Sequence, residues 1–242
     1  MGDYKYRRIV CFSQQTWNHW IQSRAKMTWK QLKDIALACV FVWLTAKAYS
    51  LPLSTSGRWI IDATTGQRVK LVCVNWPSHM QAMLAEGLHL QPLDSITAMV
   101  AKLQFNCVRL TYSIHMFTRY ANLTIQQSLE NYDMKNAMTG ITQNNHFMLN
   151  MTLVETYGAV VDSLATHGVM VVSDNHISQP RWCCNDDDDN GFFGDRYFDP
   201  QEWLQGIGLA TQSLKHKSQV CFFFFRFFFF NFFFLFDTFK TT

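Results

Sequence analysis

The stretch LVETYGAVVDSLATHGVMVVSD, residues 153–174, decides the fold of this chain, because a helix in it leads directly into a buried strand. Its first half places apolar residues at helical spacing: Leu153, Tyr157, Val160, Val161 and Leu164. Gly168 stands where a helix C-terminus favours glycine. Residues 169–174 are a near-continuous apolar run, as in strands covered on both faces. The stretch therefore predicts a parallel strand reached through a helical crossover.

The same alternation extends in both directions along the chain. Upstream, a main strand at 69–76 is followed by a helix at 94–103 and a strand at 106–112. Residues 58–75, with a turn at Gly66, predict a hairpin that feeds the first main strand. Downstream, Asp199-Pro200-Gln201-Glu202 supplies an N-cap, a first-turn proline and a glutamate that reaches back to the cap. That helix has one apolar face: Trp203, Ile207, Ala210 and Leu214.

Two architectures are built from this unit, an open doubly wound sheet and a closed (β/α)8 barrel. A nucleotide-binding doubly wound sheet needs a glycine-rich turn after its first strand, but Trp76-Pro77-Ser78-His79 stands there. Each predicted strand ends in polar or aromatic residues, which suits an active site at the C-terminal face of a barrel. We therefore predict an α/β fold of the (β/α)8 TIM-barrel type, truncated after about three βα units, with an N-terminal β-hairpin.

Residues 1–48 have the pattern of an N-terminal extension and a signal peptide. Ile35 to Thr45 is an apolar stretch too short to span a membrane, with lysines before it and Ala46-Lys47-Ala48 after it. We expect cleavage near Ala48 and secretion to the extracellular space or cell wall. Met27 would start a signal peptide of ordinary length, so residues 1–26 are interpreted as upstream sequence.

Residues 221–242 are mostly phenylalanine and have no amphipathic period and no turn chemistry. We interpret them as an aberrant segment, of the kind that translation through a pyrimidine-rich stretch produces. A membrane span would need about 20 apolar residues, and this run is interrupted by Arg226 and Asn231. No stable membrane span is expected, and one partial barrel domain is expected at 49–220.

The charge of the chain excludes a nucleic-acid footprint. The formal net charge is +3, but residues 1–48 hold eight lysines and arginines against two aspartates. The remainder has thirteen basic and sixteen acidic residues and is therefore net negative. A basic patch that could follow a phosphate backbone is not expected there.

Two sequons fit passage through a glycosylating secretory route. They are Asn122-Leu123-Thr124 and Asn150-Met151-Thr152, so Asn122 and Asn150 are candidate glycosylation sites. An oxidising compartment also permits disulfides. The candidate cysteines, with their pairing left open, are Cys73, Cys107, Cys183 and Cys184.

The sequence favours no metal site and no cofactor. Cys183 and Cys184 are adjacent and lack the two- to four-residue spacing of zinc ligands. The acidic loop at 185–191 matches the first half of a calcium loop, but Tyr197 stands where that loop has its bidentate glutamate. A solvated acidic loop is the favoured interpretation.

The ends of the predicted strands carry three recognisable motifs: VCVNW at 72–76, FNCVRL at 105–110 and DNHIS at 174–178. A loop then carries WCC at 182–184 and GFFGD at 191–195. Over about residues 51–220 these motifs resemble the first three barrel strands of glycoside hydrolase family 5, in its plant cellulase-like form. The resemblance implies retaining hydrolysis of O-glycosyl bonds in β-linked polysaccharide, by two carboxyl groups about 5 Å apart.

The two catalytic glutamates that the resemblance implies are absent from this chain. In the family, the acid/base follows an asparagine at the end of the fourth strand, and the nucleophile ends the seventh. The fourth strand should begin near Val220, where the phenylalanine run takes over. None of the four glutamates follows an asparagine or ends a predicted strand: Glu86, Glu130, Glu155 and Glu202. Glu155 is assigned to a helix and Glu202 to a helix cap.

The resemblance leaves the supporting residues of a sugar site. Arg109 would orient the nucleophile carboxylate, with an ordinary ion-paired arginine as the alternative. His176 would hydrogen-bond sugar hydroxyls, and Asn175 beside it is also assigned to substrate binding. Asn75 and Trp76 would line the sugar site, with the indole either a stacking face or part of the core. Three other histidines are predicted to lie in loops: His79, His115 and His146.

Three functions remain open from the sequence. The first is a truncated, inactive product of a secreted endo-β-glycosidase gene. The second is a secreted non-catalytic protein that binds β-linked oligo- or polysaccharide. The third is a mis-spliced or mispredicted product without function. Three or four strands of eight leave open edges and an exposed inner face, which argues against stable sugar binding.

Overall fold

The computed structural model of the chain describes residues 53–183, 188–217 and 219–223. The predicted signal peptide, Cys184, most of the acidic loop and the phenylalanine run after Phe223 lie outside the described residues. No helix in the described part of the chain is long and apolar enough to cross a membrane.

The strands form two sheets. β1 (Leu53–Ser56) and β2 (Trp59–Asp62) pair as an N-terminal antiparallel hairpin, so the hairpin is confirmed but its predicted position is wrong. Across the predicted turn at Gly66, the pairing is an isolated bridge between Ile61 and Arg68. The second sheet is parallel, and its strands lie side by side in chain order: β3 (Cys73–Trp76), β4 (Cys107–Ser113), β5 (Met170–Ile177) and β6 (Val220–Phe223). Parallel strands in sequential order are the arrangement of consecutive βα units in a barrel.

Six helices and one 3-10 turn connect the described strands. They are α1 (Leu93–Lys102), α2 (Ile114–Thr118), α3 (Ile125–Asn131), α4 (Lys135–Asn144), the 3-10 turn (His146–Met148), α5 (Leu153–Thr166) and α6 (Pro200–Leu214). The sequence pattern predicts a long loop, without helices, between the strand at 106–112 and the helix that begins at Leu153. That prediction is wrong, because α2, α3, α4 and the 3-10 turn lie within this stretch.

Side-chain caps fix where three of these helices begin. Thr124 and Thr152 start α3 and α5, and each forms a capping box with the residue three positions later, Gln127 and Glu155. At α6, the carboxylate of Asp199 accepts hydrogen bonds from the backbone N–H groups of Gln201 and Glu202. Gly168 follows α5 with a φ of +70°, a conformation that favours glycine. The predicted starts of α5 and α6 are therefore confirmed.

The hydrophobic core lies between the helices and one face of the parallel sheet. Successive strand residues point to opposite faces, and Val108, Leu110, Tyr112 and Val171 share the helix-covered one. The apolar face of α5 packs onto them with five buried residues: Leu153, Tyr157, Val160, Val161 and Leu164. The other face of β4 and β5 carries polar side chains toward the C-terminal ends of the strands.

The register of the sheet aligns the strand ends. Asn75 pairs with Arg109, Arg109 with Val172, and Val172 with Cys221. The first main strand is shorter than predicted, since it begins only at Cys73, and the third continues to Ile177. The fourth strand begins at Val220, as predicted, and includes the first three residues of the phenylalanine-rich segment.

A disulfide joins the first two parallel strands. Cys73 and Cys107 are paired in register on neighbouring strands and are bonded to each other across 34 residues of sequence. Cys183 is also disulfide-bonded. Two of the four candidate cysteines are thus linked to each other, at the N-terminal ends of β3 and β4.

Candidate functional site

The polar residues at the C-terminal ends of β3, β4 and β5, with the loop after β3, meet on the face of the sheet that the helices do not cover. Together they are called the strand-end cluster here: Asn75, His79, Arg109, Thr111, Asp174 and His176. Asn75 is exposed and lies in register with Arg109. Arg109 and Thr111 are two apart on β4, and Asp174 and His176 are two apart on β5, so each pair shares a face.

Asp174 is the centre of this cluster. One of its carboxylate oxygens, Oδ2, lies 2.8 Å from Nη2 of Arg109 and 3.0 Å from Nδ1 of His176. The Asp174 side chain is 0% exposed, whereas that of Arg109 is 22% exposed. A fully buried carboxylate needs charged or polar partners, and the arginine and histidine supply them. The carboxylate therefore fixes the positions of two side chains that the sequence assigned to the supporting site, Arg109 and His176.

His79 extends the cluster and corrects its assignment to an ordinary loop position. Its Nδ1 lies 2.7 Å from Oγ1 of Thr111, and its ring is 4.4 Å from that of His176. Thr111 also accepts a hydrogen bond from the backbone N–H of Ser78, which fixes the loop. Burial, together with the nearby His176, lowers the pKa of His79 to about 4. His79 is therefore a neutral imidazole at neutral pH.

Two residues assigned to the sugar site face away from it. Trp76 is buried in the hydrophobic core and donates from its indole nitrogen to the carbonyl of Glu86. Its core-packing interpretation is thus the one that the structure favours. Asn175 is buried and accepts a hydrogen bond from the indole of Trp203 on α6. Both alternate with cluster residues along their strands, so their side chains point to the helix-covered face.

None of the four glutamates lies in the strand-end cluster. Glu155 closes the capping box of α5, and Glu130 accepts a hydrogen bond from Gln126 on the same helix. The sequence predicted that the carboxylate of Glu202 reaches back to the cap of α6, and this prediction is wrong. The carboxylate bonds instead to Thr118 and Arg119 at the end of α2, because α2 packs against α6. Among the described residues, the site thus contains one carboxylate, that of Asp174.

The Glu202 contacts form a second polar group that ties α2 to α6. Both of its oxygens bond to Arg119, and Nε2 of His115 lies 3.6 Å away. His115 is buried rather than in a surface loop, and that burial lowers its pKa. His146 lies in the 3-10 turn and is exposed. The hydrogen bonds from Arg119 hold the pKa of Glu202 down at about 2.

We expect the Glu202→Gln variant to lower the free energy of unfolding by about 1–2 kcal/mol at pH 6, because a two-point arginine–carboxylate contact is lost. The folded pKa of Glu202 is depressed below its ordinary 4.5, so its stabilisation is present above that value. It is lost as the pH falls toward 2. Urea unfolding at pH 6 and pH 3 should show the difference between wild type and variant shrinking at pH 3. Glu130→Gln, at an exposed position, is the control; an equal loss there would contradict the prediction.

The two sequons lie at exposed asparagines. Asn122 and Asn150 are both exposed, and their threonines, Thr124 and Thr152, face each other in an isolated antiparallel bridge. The backbone N–H of Leu153 donates to the carbonyl of Leu123 beside that bridge. The glycosylation assignment stays a prediction, and both side chains are accessible to it.

One group in the described residues has the composition of a metal site. A ring nitrogen each of His79 and His176 and the sulfur of Cys183 lie within 4.8 Å of one another. Nε2 of His176 is 3.0 Å from that sulfur. These three residues are called the His-His-Cys cluster below. Cys183 is disulfide-bonded, and a disulfide sulfur is not the thiolate that binds metal.

The chemistry of the strand-end cluster suits a polar neutral ligand. It offers imidazole and amide groups beside a paired arginine at the open end of the parallel strands, where barrels place their ligands. The sequence identified Arg109, His176 and Asn75 but missed Asp174, Thr111 and His79 as members. For Asp174 and Thr111 the signal was available, because each lies two positions from an identified residue on the same strand.

The chain is similar in sequence to a glycoside hydrolase. A glycosyl hydrolase 5 family protein of Chamaecyparis obtusa is 49% identical to it over 176 residues, which cover 72% of this chain and 32% of the relative. The chain thus spans about a third of the length of the curated relative that it matches. No family model matches the chain.

Solved structures show the same fold. An endocellulase of Pyrococcus horikoshii, solved as a complex with cellotetraose, matches with a TM-score of 0.53 at 13% identity, over 71% of this chain and 41% of its own. The catalytic domain of the major endoglucanase of Xanthomonas campestris pv. campestris matches with a TM-score of 0.54 at 17% identity, over 69% and 43%. The predicted fold and the recognition from the sequence are confirmed: the chain carries the N-terminal part of a glycoside hydrolase family 5 barrel.

Proposed function

We propose that this chain binds β-linked glucose oligosaccharides through the strand-end cluster and does not hydrolyse them. The observation that carries the proposal is the pair of buried contacts from Asp174 to Arg109 and His176. They hold the arginine and the imidazole at the open end of the strands without help from a substrate. A site arranged in advance loses less freedom on binding than a mobile one.

The chemistry of the cluster supports a sugar as its ligand. The His176 side chain is 17% exposed, and Asn75 is exposed in register with Arg109, so both can exchange hydrogen bonds with hydroxyl groups. The complex of the similar endocellulase contains cellotetraose, a β-linked oligosaccharide. For this chain we therefore choose cellotetraose as the first ligand to test.

The absence of hydrolysis follows from the carboxylates. Retaining hydrolysis needs one carboxyl group as acid and a second as nucleophile, about 5 Å apart. All four glutamates of the chain are engaged or exposed elsewhere. Asp174 is the cluster's single carboxylate, and it is buried against Arg109 and His176. Arg109 here pairs with Asp174, and we propose that in a longer family member it would face the nucleophile.

Secretion and truncation belong to the same proposal. The apolar stretch at residues 35–45 and the two exposed sequons favour export through a glycosylating route. The phenylalanine run from residue 222 favours a product that departs from the family after the fourth strand. Sequencing the transcript across the codons for residues 219–225 distinguishes the two cases: either the spliced message continues into an Asn-Glu strand end, or it encodes the phenylalanine run.

We expect the chain to bind cellotetraose with a millimolar Kd, and the His176→Ala variant to bind about five- to tenfold more weakly. One lost hydrogen bond of about 1 kcal/mol gives a change of that size. Isothermal titration of both proteins measures it, while release of reducing ends measures hydrolysis. We expect none above the buffer rate.

His146→Ala is the matched control, because it removes an exposed histidine outside the cluster. Equal binding by His176→Ala and wild type would place the ligand elsewhere. No binding by a monodisperse wild-type chain would leave the third function, a product without activity, as the better account.

A further inference from the structure

The His-His-Cys cluster holds the number and type of ligands found in catalytic zinc sites. Those sites use three protein ligands, nitrogen or sulfur among them, and keep a fourth position open. Here a nitrogen from His79, a nitrogen from His176 and the sulfur of Cys183 lie within 4.8 Å of one another. A cation at roughly 2.0–2.3 Å from each would fit between atoms at such separations.

The contacts behind the two histidines are those of a metal-binding pair. Nδ1 of His176 is held 3.0 Å from Asp174, and Nδ1 of His79 is held 2.7 Å from the hydroxyl of Thr111. With Nδ1 engaged in both rings, Nε2 is the nitrogen that each offers to a ligand. A carboxylate behind a histidine fixes its tautomer and strengthens it as a metal ligand.

The local charge does not exclude a cation. Nη2 of Arg109 lies 3.3 Å from Nδ1 of His176 and would repel a divalent ion. The Asp174 carboxylate is shared by both side chains and counters that charge. Its second oxygen, Oδ1, is buried and has no hydrogen-bond partner among the described residues. The site therefore has negative charge directly behind the histidine.

The oxidation state of the Cys183 sulfur decides whether a cation can bind. Cys183 is disulfide-bonded, and metal binds the thiolate. A dithiol or phosphine reductant would donate two electrons to the disulfide; with two protons, Cys183 and its partner cysteine would each become a thiol. Cys183 would then lose its proton on binding the cation.

We propose that His79, His176 and Cys183 form a redox-gated site for a thiophilic divalent cation such as Zn²⁺, which opens when the disulfide of Cys183 is reduced. A bound cation would coordinate Nε2 of His176, so that this nitrogen could no longer form a hydrogen bond with a sugar. That consequence alone rests on the proposed function, while the binding of the cation does not.

The test is titration of the full chain with Zn²⁺ alone, oxidised or kept reduced by a phosphine. We expect one-to-one binding to the reduced protein, at least about tenfold tighter than to the oxidised one. Co²⁺ in place of Zn²⁺ should give the near-ultraviolet absorption of a cobalt–thiolate bond. His79→Gln and Cys183→Ser should each weaken binding at least about tenfold, and Cys183→Ser should abolish the absorption.

One control separates this site from binding by other thiols, and a second checks that each variant is folded. Reduction also releases Cys73 and Cys107, so the Cys73→Ser/Cys107→Ser variant should keep the cation affinity. Circular dichroism checks that each variant is folded, and His176→Gln gives a second histidine test if His79→Gln is not. Equal affinity of His79→Gln and wild type, a missing thiolate absorption, or equal binding by oxidised and reduced protein would each overturn the proposal. None of these readouts uses a sugar.

Discussion

The Cys73→Ala/Cys107→Ala variant is expected to lose about 4 kcal/mol of unfolding free energy relative to the oxidised chain. The disulfide closes a loop of 34 residues, and in the chain-entropy account a loop of that length contributes about this much. Domains have about 5–15 kcal/mol in total, so the loss is a large fraction of it. Urea unfolding under non-reducing conditions measures the change as a shift of the midpoint.

Adding a reductant to the wild-type chain should reproduce most of this shift. Because a reductant also opens the disulfide of Cys183, the comparison needs the Cys183→Ala variant, in which only the Cys73–Cys107 bond remains of the two. A midpoint of Cys73→Ala/Cys107→Ala equal to that of wild type would mean that the four-stranded sheet is held without the covalent link.

The order of strands and helices could be predicted because each signal is local. The apolar face of α5, the glycine after it and the apolar run of β5 lie within 22 consecutive residues. The start of β6 at Val220 was also predicted, because the family resemblance implies a fourth strand after the helix that begins at Pro200. Register, in contrast, joins residues far apart in the chain. The pairing of Cys73 with Cys107 therefore stayed open until the structure aligned β3 with β4.

The helices of the long connection were missed because they are short and mixed in polarity. α2 has five residues and α3 has seven, which is too few for a helical period to stand out. One signal was available. Thr124 and Gln127 have the spacing of a capping box, and the structure shows both of its hydrogen bonds.

The candidate site was predicted only in part, because some of its residues lie in local sequence motifs and others are brought together only by the fold. Arg109 and His176 were found because each lies within a recognisable strand motif. His79 lies in a loop, and only the folded chain brings it 2.7 Å from Thr111 and against the ring of His176. Glu202 was placed wrongly because the sequence pattern of a cap is local, whereas its partner Arg119 lies 83 residues away.

The Asp174→Ala variant is expected to lose about 3–5 kcal/mol of unfolding free energy, which is the usual effect of removing one partner of a buried ion pair. Arg109 would keep its charge in a mostly buried position without the carboxylate at 2.8 Å, and the ring of His176 would lose the contact that orients it. Asp174→Asn keeps the shape and one acceptor oxygen, so a smaller loss of about 2 kcal/mol is expected. Urea unfolding at pH 7 measures both values.

Asp162→Asn provides the matched control, because Asp162 pairs with Lys217 at the surface and such pairs contribute about 1 kcal/mol or less. If Asp174→Asn were no less stable than Asp162→Asn, the buried carboxylate would not be holding the strand-end cluster together. Titration with cellotetraose separates the two consequences. Since the carboxylate positions His176 and Arg109, Asp174→Asn should weaken sugar binding as His176→Ala does, even at temperatures where the variant is fully folded. Intact binding by a folded Asp174→Asn protein would show that the histidine needs no carboxylate to hold it in place.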